Sequence, residues 1–143
     1  MDFEVAGAEL AGFPGRRPPV PGRPVEPRLA HFVSGMSIGI YPERGRVKAV
    51  EIFRPEENGD TIIFREMEVL ALPAEQVISS LASLTRLDFV NGGLTVVAPE
   101  LLLAFGRSSV SETSENEVER FFDSVLVAAP GYYDGPDGRP IYL

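Results

Sequence analysis

The clearest periodic signal in the chain runs from Thr61 to Leu84. Ala74, Val77, Ile78, Leu81 and Leu84 recur at helical spacing, with Ser79, Ser80 and Ser83 on the opposite side. Pro73 suits the first turn of such a helix, where its missing N–H has no intrahelical acceptor. Glu75 complements the positive end of the helix dipole. Just before the helix, Ile62 and Phe64 alternate with polar neighbours in one phase, and Met67, Val69 and Ala71 follow in the other. A strand cannot change face without an irregularity, which predicts a bulge or bend at Arg65-Glu66.

Period-two patterning flanks this stretch on both sides. Met36, Ile38 and Ile40 alternate with Ser37, Gly39 and Tyr41, as in a half-buried strand. Pro42 to Gly45 reads as a turn into a second strand, Val47 to Phe53, and Asn58-Gly59 is a hairpin signal. Leu87–Val90, Leu94–Ala98 and Leu101–Gly106 read as short strands, the first two separated by the turn Asn91-Gly92-Gly93. Residues 3–10 read as a short edge strand. Residues 120–129 fit two patterns. Ser114 and Glu117 have capping-box spacing ahead of a possible helical stripe of Val118, Phe121, Phe122 and Val125. The β-branched and aromatic content favours a strand instead. The order of elements predicts an α+β domain, with a largely antiparallel sheet of about six strands and one main helix on one face.

Proline divides the chain. Six of the fourteen residues from Pro14 to Pro27 are proline, so neither a helix nor a central strand can run there. Residues 1–30 therefore read as a proline-rich N-terminal arm and 31–143 as a single α+β domain. Pro18 and Pro21 beside Arg16 and Arg17 have the spacing of an SH3 ligand, but any proline-rich segment produces that spacing, and a surface arm accounts for it.

Charge sharpens the choice of partner. The net charge is −8. Residues 1–30 hold four acids and four bases, so the excess lies in residues 31–143, where 17 acids face 9 bases. Such a body repels nucleic acid and anionic membranes and favours a basic protein. Neither a secretory leader nor a run of about 18 apolar residues is seen, which points to a cytoplasmic protein. Lys48 is the single lysine against twelve arginines, a bias of GC-rich genomes.

Candidate chemistry is sparse. The chain has no cysteine and one histidine, His31, which rules out thiol nucleophiles, disulfides and zinc sites built on several imidazoles or thiolates. Phosphate-cradling and nucleophile-elbow motifs are absent, and no cofactor is implied. Glu66 and Glu68 share a strand face, a weak sign of catalysis, and Glu51 sits inside an apolar strand, where partial burial or a salt bridge to an arginine would equally account for it. Asp134 to Gly138 reads as turns and lacks the ligand alternation of a calcium loop. Two features suit a partner. Glu112, Glu115, Glu117 and Glu119 form an acidic loop without a base, and Tyr132 and Tyr133 are aromatic anchors of the type that carries interface energy.

Three segments, HFVSGMSIGIYPERGRVKAVEIF, IIFREMEVLALPAEQVISSL and FFDSVLVAAPGYY, resemble a group of small uncharacterised bacterial proteins of actinobacterial type. The resemblance covers roughly residues 31–133. Some members of such groups resemble immunity proteins, which bind and neutralise a cognate toxin, so it implies a non-enzymatic protein-binding module and no catalytic residues. The group tends to carry a helix before its first strand, where the present chain has its proline-rich arm. The rival expectation is a small enzyme or ligand-binding domain using a helix–sheet cleft, with His31, Tyr41 or carboxylates inside.

Overall fold

In a computed structural model of the chain, which describes residues 1–12, 14–18, 21–22, 28–56, 60–110, 120–137 and 139–142, every strand pairing is antiparallel. A first meander comprises β1 (Leu29–His31), β2 (Ser37–Glu43) and β3 (Arg46–Phe53). A two-residue turn separates β4 (Ile63–Phe64) from β5 (Met67–Glu68), which form a small sheet of their own. A second meander comprises β6 (Asp88–Val90), β7 (Thr95–Ala98), β8 (Leu103–Gly106) and β9 (Ser124–Ala128). The two meanders fuse through β3 and β9 into one seven-stranded sheet, ordered β1-β2-β3-β9-β8-β7-β6. The architecture is the expected α+β, with nine strands among the described residues where about six were expected.

Two helices cover one face of this sheet. Helix α2 (Ala74–Ala82) buries Ala74, Val77 and Leu81 against Val96, Ala98, Leu103, Phe105 and Val125. Pro73 stands at its N-cap, and Leu84 lies beyond its end, half exposed. Helix α1 (Phe3–Ala11) buries Ala6 and Leu10 against Ala30, Phe32, Ile38 and Ile40. Ile52 packs against both clusters and joins them.

Helix α1 corrects the edge strand expected over residues 3–10, and it supplies a helix ahead of the first strand. The Asp2 carboxylate accepts hydrogen bonds from the Glu4 and Val5 N–H groups, which nucleates the turn. Val5 points outward at 51% exposure. Part of the arm lies along the sheet edge. The Arg17 N–H donates to the His31 carbonyl (2.7 Å) and the Val33 N–H to the Gly15 carbonyl (2.8 Å). This contact shields the outer edge of β1 from pairing with another chain.

Strand β9 settles residues 124–128 as extended, and Phe121 bridges Pro73 just before it. The phase change at Arg65-Glu66 is a full chain reversal rather than a bulge. Both residues have positive φ (48° and 67°), as a two-residue hairpin of right-handed twist demands. Asn-Gly would suit that geometry, and Arg-Glu must tolerate it. The hairpin signal at Asn58-Gly59 lies outside the described residues. No helix among the described residues is long and apolar enough to cross a membrane.

Replacing Glu66 by glycine removes a side chain from a left-handed position and is expected to raise the unfolding free energy by about 0.5–1 kcal/mol. Urea denaturation measures it. A loss of stability would contradict the strained-turn account.

Candidate interaction face

Strand pairing sorts side chains onto two faces. In the β3–β9 register, Ile52 lies opposite Val125 and Val50 opposite Val127, on the helix side. Glu51 opposite Leu126, Phe53 opposite Ser124 and Ala49 opposite Ala128 lie on the other side. Among the described residues, no helix covers that second face.

The C-terminal tail covers half of it. Tyr133 is 7% exposed and packs with Val97 and Ala128, with Val90, Leu102, Ala104 and Leu126 around them. The Tyr133 ring meets Tyr132 edge-on at 5.0 Å and Tyr142 edge-on at 5.8 Å, an arrangement favoured by the ring quadrupoles. The Tyr142 hydroxyl donates to Asp88 Oδ2 (2.6 Å), which pins the tail across β6. Burial, then this hydrogen bond, pushes the Tyr142 phenol up to about 12. Burial also drives the Tyr133 phenol strongly upward, and its hydroxyl finds no hydrogen-bond partner among the described residues.

The other half, over β1, β2 and β3, carries no such cover among the described residues. It presents Leu29, His31, Ser37, Tyr41, Glu51 and Phe53, with Tyr41 at 42% and Phe53 at 37% exposure. Its centre is the half-buried Glu51 on β3. The Tyr41 hydroxyl donates to Glu51 Oε1 (2.7 Å), and the Ser124 hydroxyl donates to Glu51 Oε2 (3.0 Å). Gly39 lies directly across from Glu51 on β2. The Tyr41 hydroxyl lies over Gly39, 3.8 Å from where a Cβ would stand, an ordinary contact distance. The hydrogen bond to Glu51, then partial burial, pushes the Tyr41 phenol up to about 12, and the adjacent Tyr132 phenol adds to the shift.

Glu51 forms no ion pair among the described residues, although ion pairs occur elsewhere. Arg107 reaches Glu75 at 2.9 Å and stacks over Phe122, and Arg54 lies 3.7 Å from Asp123. Two hydroxyls from neighbouring strands thus donate to one carboxylate, and no described cation pairs with it.

The sequence-derived candidates fall unevenly on this frame. Tyr132 is half-buried at the border between the covered and open halves, and Tyr133 is a packing residue beneath the tail. Glu112, Glu115, Glu117 and Glu119 lie outside the described residues. His31 Nδ1 is 2.8 Å from Ser37 Oγ at the exposed rim. Among the described residues, no group of three or more His, Asp or Glu side chains could hold a metal.

Two open depressions lie elsewhere. One, of about 400 Å³, is lined by Arg54, Glu56, Asp60, Ile62, Glu68 and Phe121, among others. The second, of about 440 Å³, gathers Arg44, Arg46 and Lys48 at the β2–β3 turn. His31 and Tyr41 line neither, and α2 contributes to neither.

Sequence reasoning singled out Glu51 as an acid within an apolar strand but missed Tyr41 and Ser124 as its partners. Tyr41 lies one hairpin away. Ser124 lies 73 residues away and becomes adjacent only through the β3–β9 pairing. No protein-family model, curated protein or solved structure matches this chain.

Two measurements check the geometry. Replacing Tyr133 by phenylalanine deletes an unpartnered buried hydroxyl and is expected to leave thermal stability unchanged or raised, whereas alanine costs about 3–5 kcal/mol. A marked loss on Tyr133→Phe would reveal a hydrogen bond the account omits. Tyr41 ionises late because the fold favours its neutral form. Its contribution to stability is whole below the ordinary phenol pKa of about 10 and is lost as pH rises towards 12. Glu51→Gln removes the charge and is expected to move Tyr41 ionisation downward in an ultraviolet pH titration, and an unmoved curve would show that Glu51 does not hold the phenol.

Proposed function

We propose that this chain is a non-enzymatic binding module for a basic protein, and that the open half of the sheet is its contact face. The observation that carries the reading is the surface over β1–β3, left open among the described residues, where two exposed aromatic side chains flank a carboxylate that forms no ion pair among them. Aromatic residues supply area at small entropic cost, and interface energy concentrates on such anchors. A body with 17 acids and 9 bases steers a basic partner towards it by long-range attraction. Tyr132 borders the same surface, and Glu112, Glu115, Glu117 and Glu119 add acidic charge to the chain.

The sharpest form of this reading is an immunity-type inhibitor that covers the basic face of a bacterial toxin. The resemblance of residues 31–133 to a group of small bacterial proteins, some of which resemble immunity proteins, supports it. A toxin-like gene immediately upstream would supply the natural partner for co-expression. The alternative, a small-ligand or enzymatic site, draws on the open depression lined by Glu56, Asp60 and Glu68 beside Arg54 and Phe121.

Affinity capture from native lysate tests the leading reading. The wild-type chain is expected to recover a basic protein at low salt and to release it at high salt. A Tyr41→Ala/Phe53→Ala variant that keeps its fold is expected to recover far less. Recovery of nothing at low salt, or equal recovery by the variant, would contradict the proposal.

A further inference from the structure

Among the described acids, Glu51 accepts a hydroxyl on each of its two carboxylate oxygens. Most surface carboxylates sit on mobile side chains and bind a passing cation weakly, because ordering both partners costs entropy. Glu51 is half-buried on the central strand β3, and each of its oxygens already accepts a hydroxyl. Both hydroxyls are neutral donors, so the charge remains. An ionised carboxylate has about four lone-pair sites, and two hydroxyl donors leave room for two more bonds. The surrounding sheet is low: Gly39 lies opposite, and Ser37, Ser124 and Gly106 continue the floor. Tyr41 stands on one side of the carboxylate and Phe53 on the other, both exposed.

We infer that Glu51 is a receptor for an arginine side chain of the partner, a proposal that rests on the protein-binding reading above. A guanidinium presents two parallel N–H donors to a carboxylate and a flat face to aromatic rings. Glu51 offers the paired oxygens, and the exposed Tyr41 and Phe53 on either side of it offer the rings. An ammonium is a compact charge that needs neither the paired oxygens nor the ring faces, so arginine is favoured over lysine here. The preorganisation also lowers the entropic cost of the contact, since the carboxylate loses little freedom on binding. The same logic gives Tyr41 and Ser124 a positioning role, in which they aim the carboxylate without contacting the ligand's charge themselves.

Titration calorimetry with hexa-arginine and hexa-lysine peptides at low salt tests the inference. The wild-type chain is expected to bind hexa-arginine more tightly than hexa-lysine. Glu51→Gln, which keeps a side chain able to accept from Tyr41, is expected to weaken hexa-arginine binding by about tenfold. Glu51→Asp keeps the charge but withdraws it from both hydroxyls, and is expected to lose nearly as much. Glu66→Gln removes one charge on the β4–β5 turn, outside this face, and is expected to change binding less than about twofold. Equal losses in Glu51→Gln and Glu66→Gln, or equal affinity for the two peptides, would overturn the inference and show general attraction to an acidic body. Should captured partner remain dependent on Tyr41 and Phe53 while Glu51→Gln leaves capture intact, the arginine receptor fails and the interaction face stands.

Discussion

The pairing of β3 with β9 is the constraint on which the rest of the structure depends. Most strands within each meander meet through short local connections, although residues 107–123 separate β8 from β9, and the β3–β9 ladder joins the two halves into one sheet. Its register decides what each face contains. With Ile52 opposite Val125, the apolar residues of both strands meet the helices, and Glu51 and Ser124 emerge together on the other side. A slip of one residue would drive Glu51 into the helix-covered core and turn Ile52 out to solvent, so burial on one side fixes polar geometry on the other.

Asymmetry of cover then makes a surface. Both helices lie on one face, so the second face needs another lid, and the tail supplies half of one. Three tyrosines reach across β6–β9, held by edge-on ring contacts and by the Tyr142–Asp88 hydrogen bond. Among the described residues, the tail reaches β2 only where Tyr132 borders Tyr41, and the aromatic and acidic side chains over the rest of β1–β3 stay open. Interface physics favours this mixture of aromatic area and a fixed charge, whereas the small polar floor of Gly39, Ser37 and Ser124 does not make a deep ligand cleft.

Much of the fold was legible from pattern alone. Helix α2 announced itself by spacing and by Pro73, and β2, β3, β7 and β8 by alternation bounded with turn residues. Helix α1 was missed because its buried face is small, Ala6 and Leu10, while Phe3 and Val5 imitate alternation; Asp2 was the overlooked cue as an N-cap. The β4–β5 reversal was misread because its turn carries Arg65-Glu66 in place of the Asn-Gly that would have marked it. The site was legible only in part. Glu51 stood out as an acid within an apolar strand, but its partners come from a hairpin neighbour and from a strand 73 residues away. Local patterning holds no information on that second contact.

A cross-link across the β3–β9 ladder tests the central claim directly, and the chain's lack of cysteine makes it clean. The Ala129 N–H donates to the Lys48 carbonyl, so Ala49 and Ala128 form the adjacent non-hydrogen-bonded pair, whose Cβ atoms lie close enough for a disulfide. The Ala49→Cys/Ala128→Cys variant is expected to oxidise to an intramolecular disulfide, seen by mass spectrometry, with its secondary structure intact. The register-shifted Val50→Cys/Ala128→Cys variant is expected to remain reduced under the same conditions. Preferential cross-linking of the shifted pair would contradict the register, and with it the placement of Glu51 between Tyr41 and Ser124.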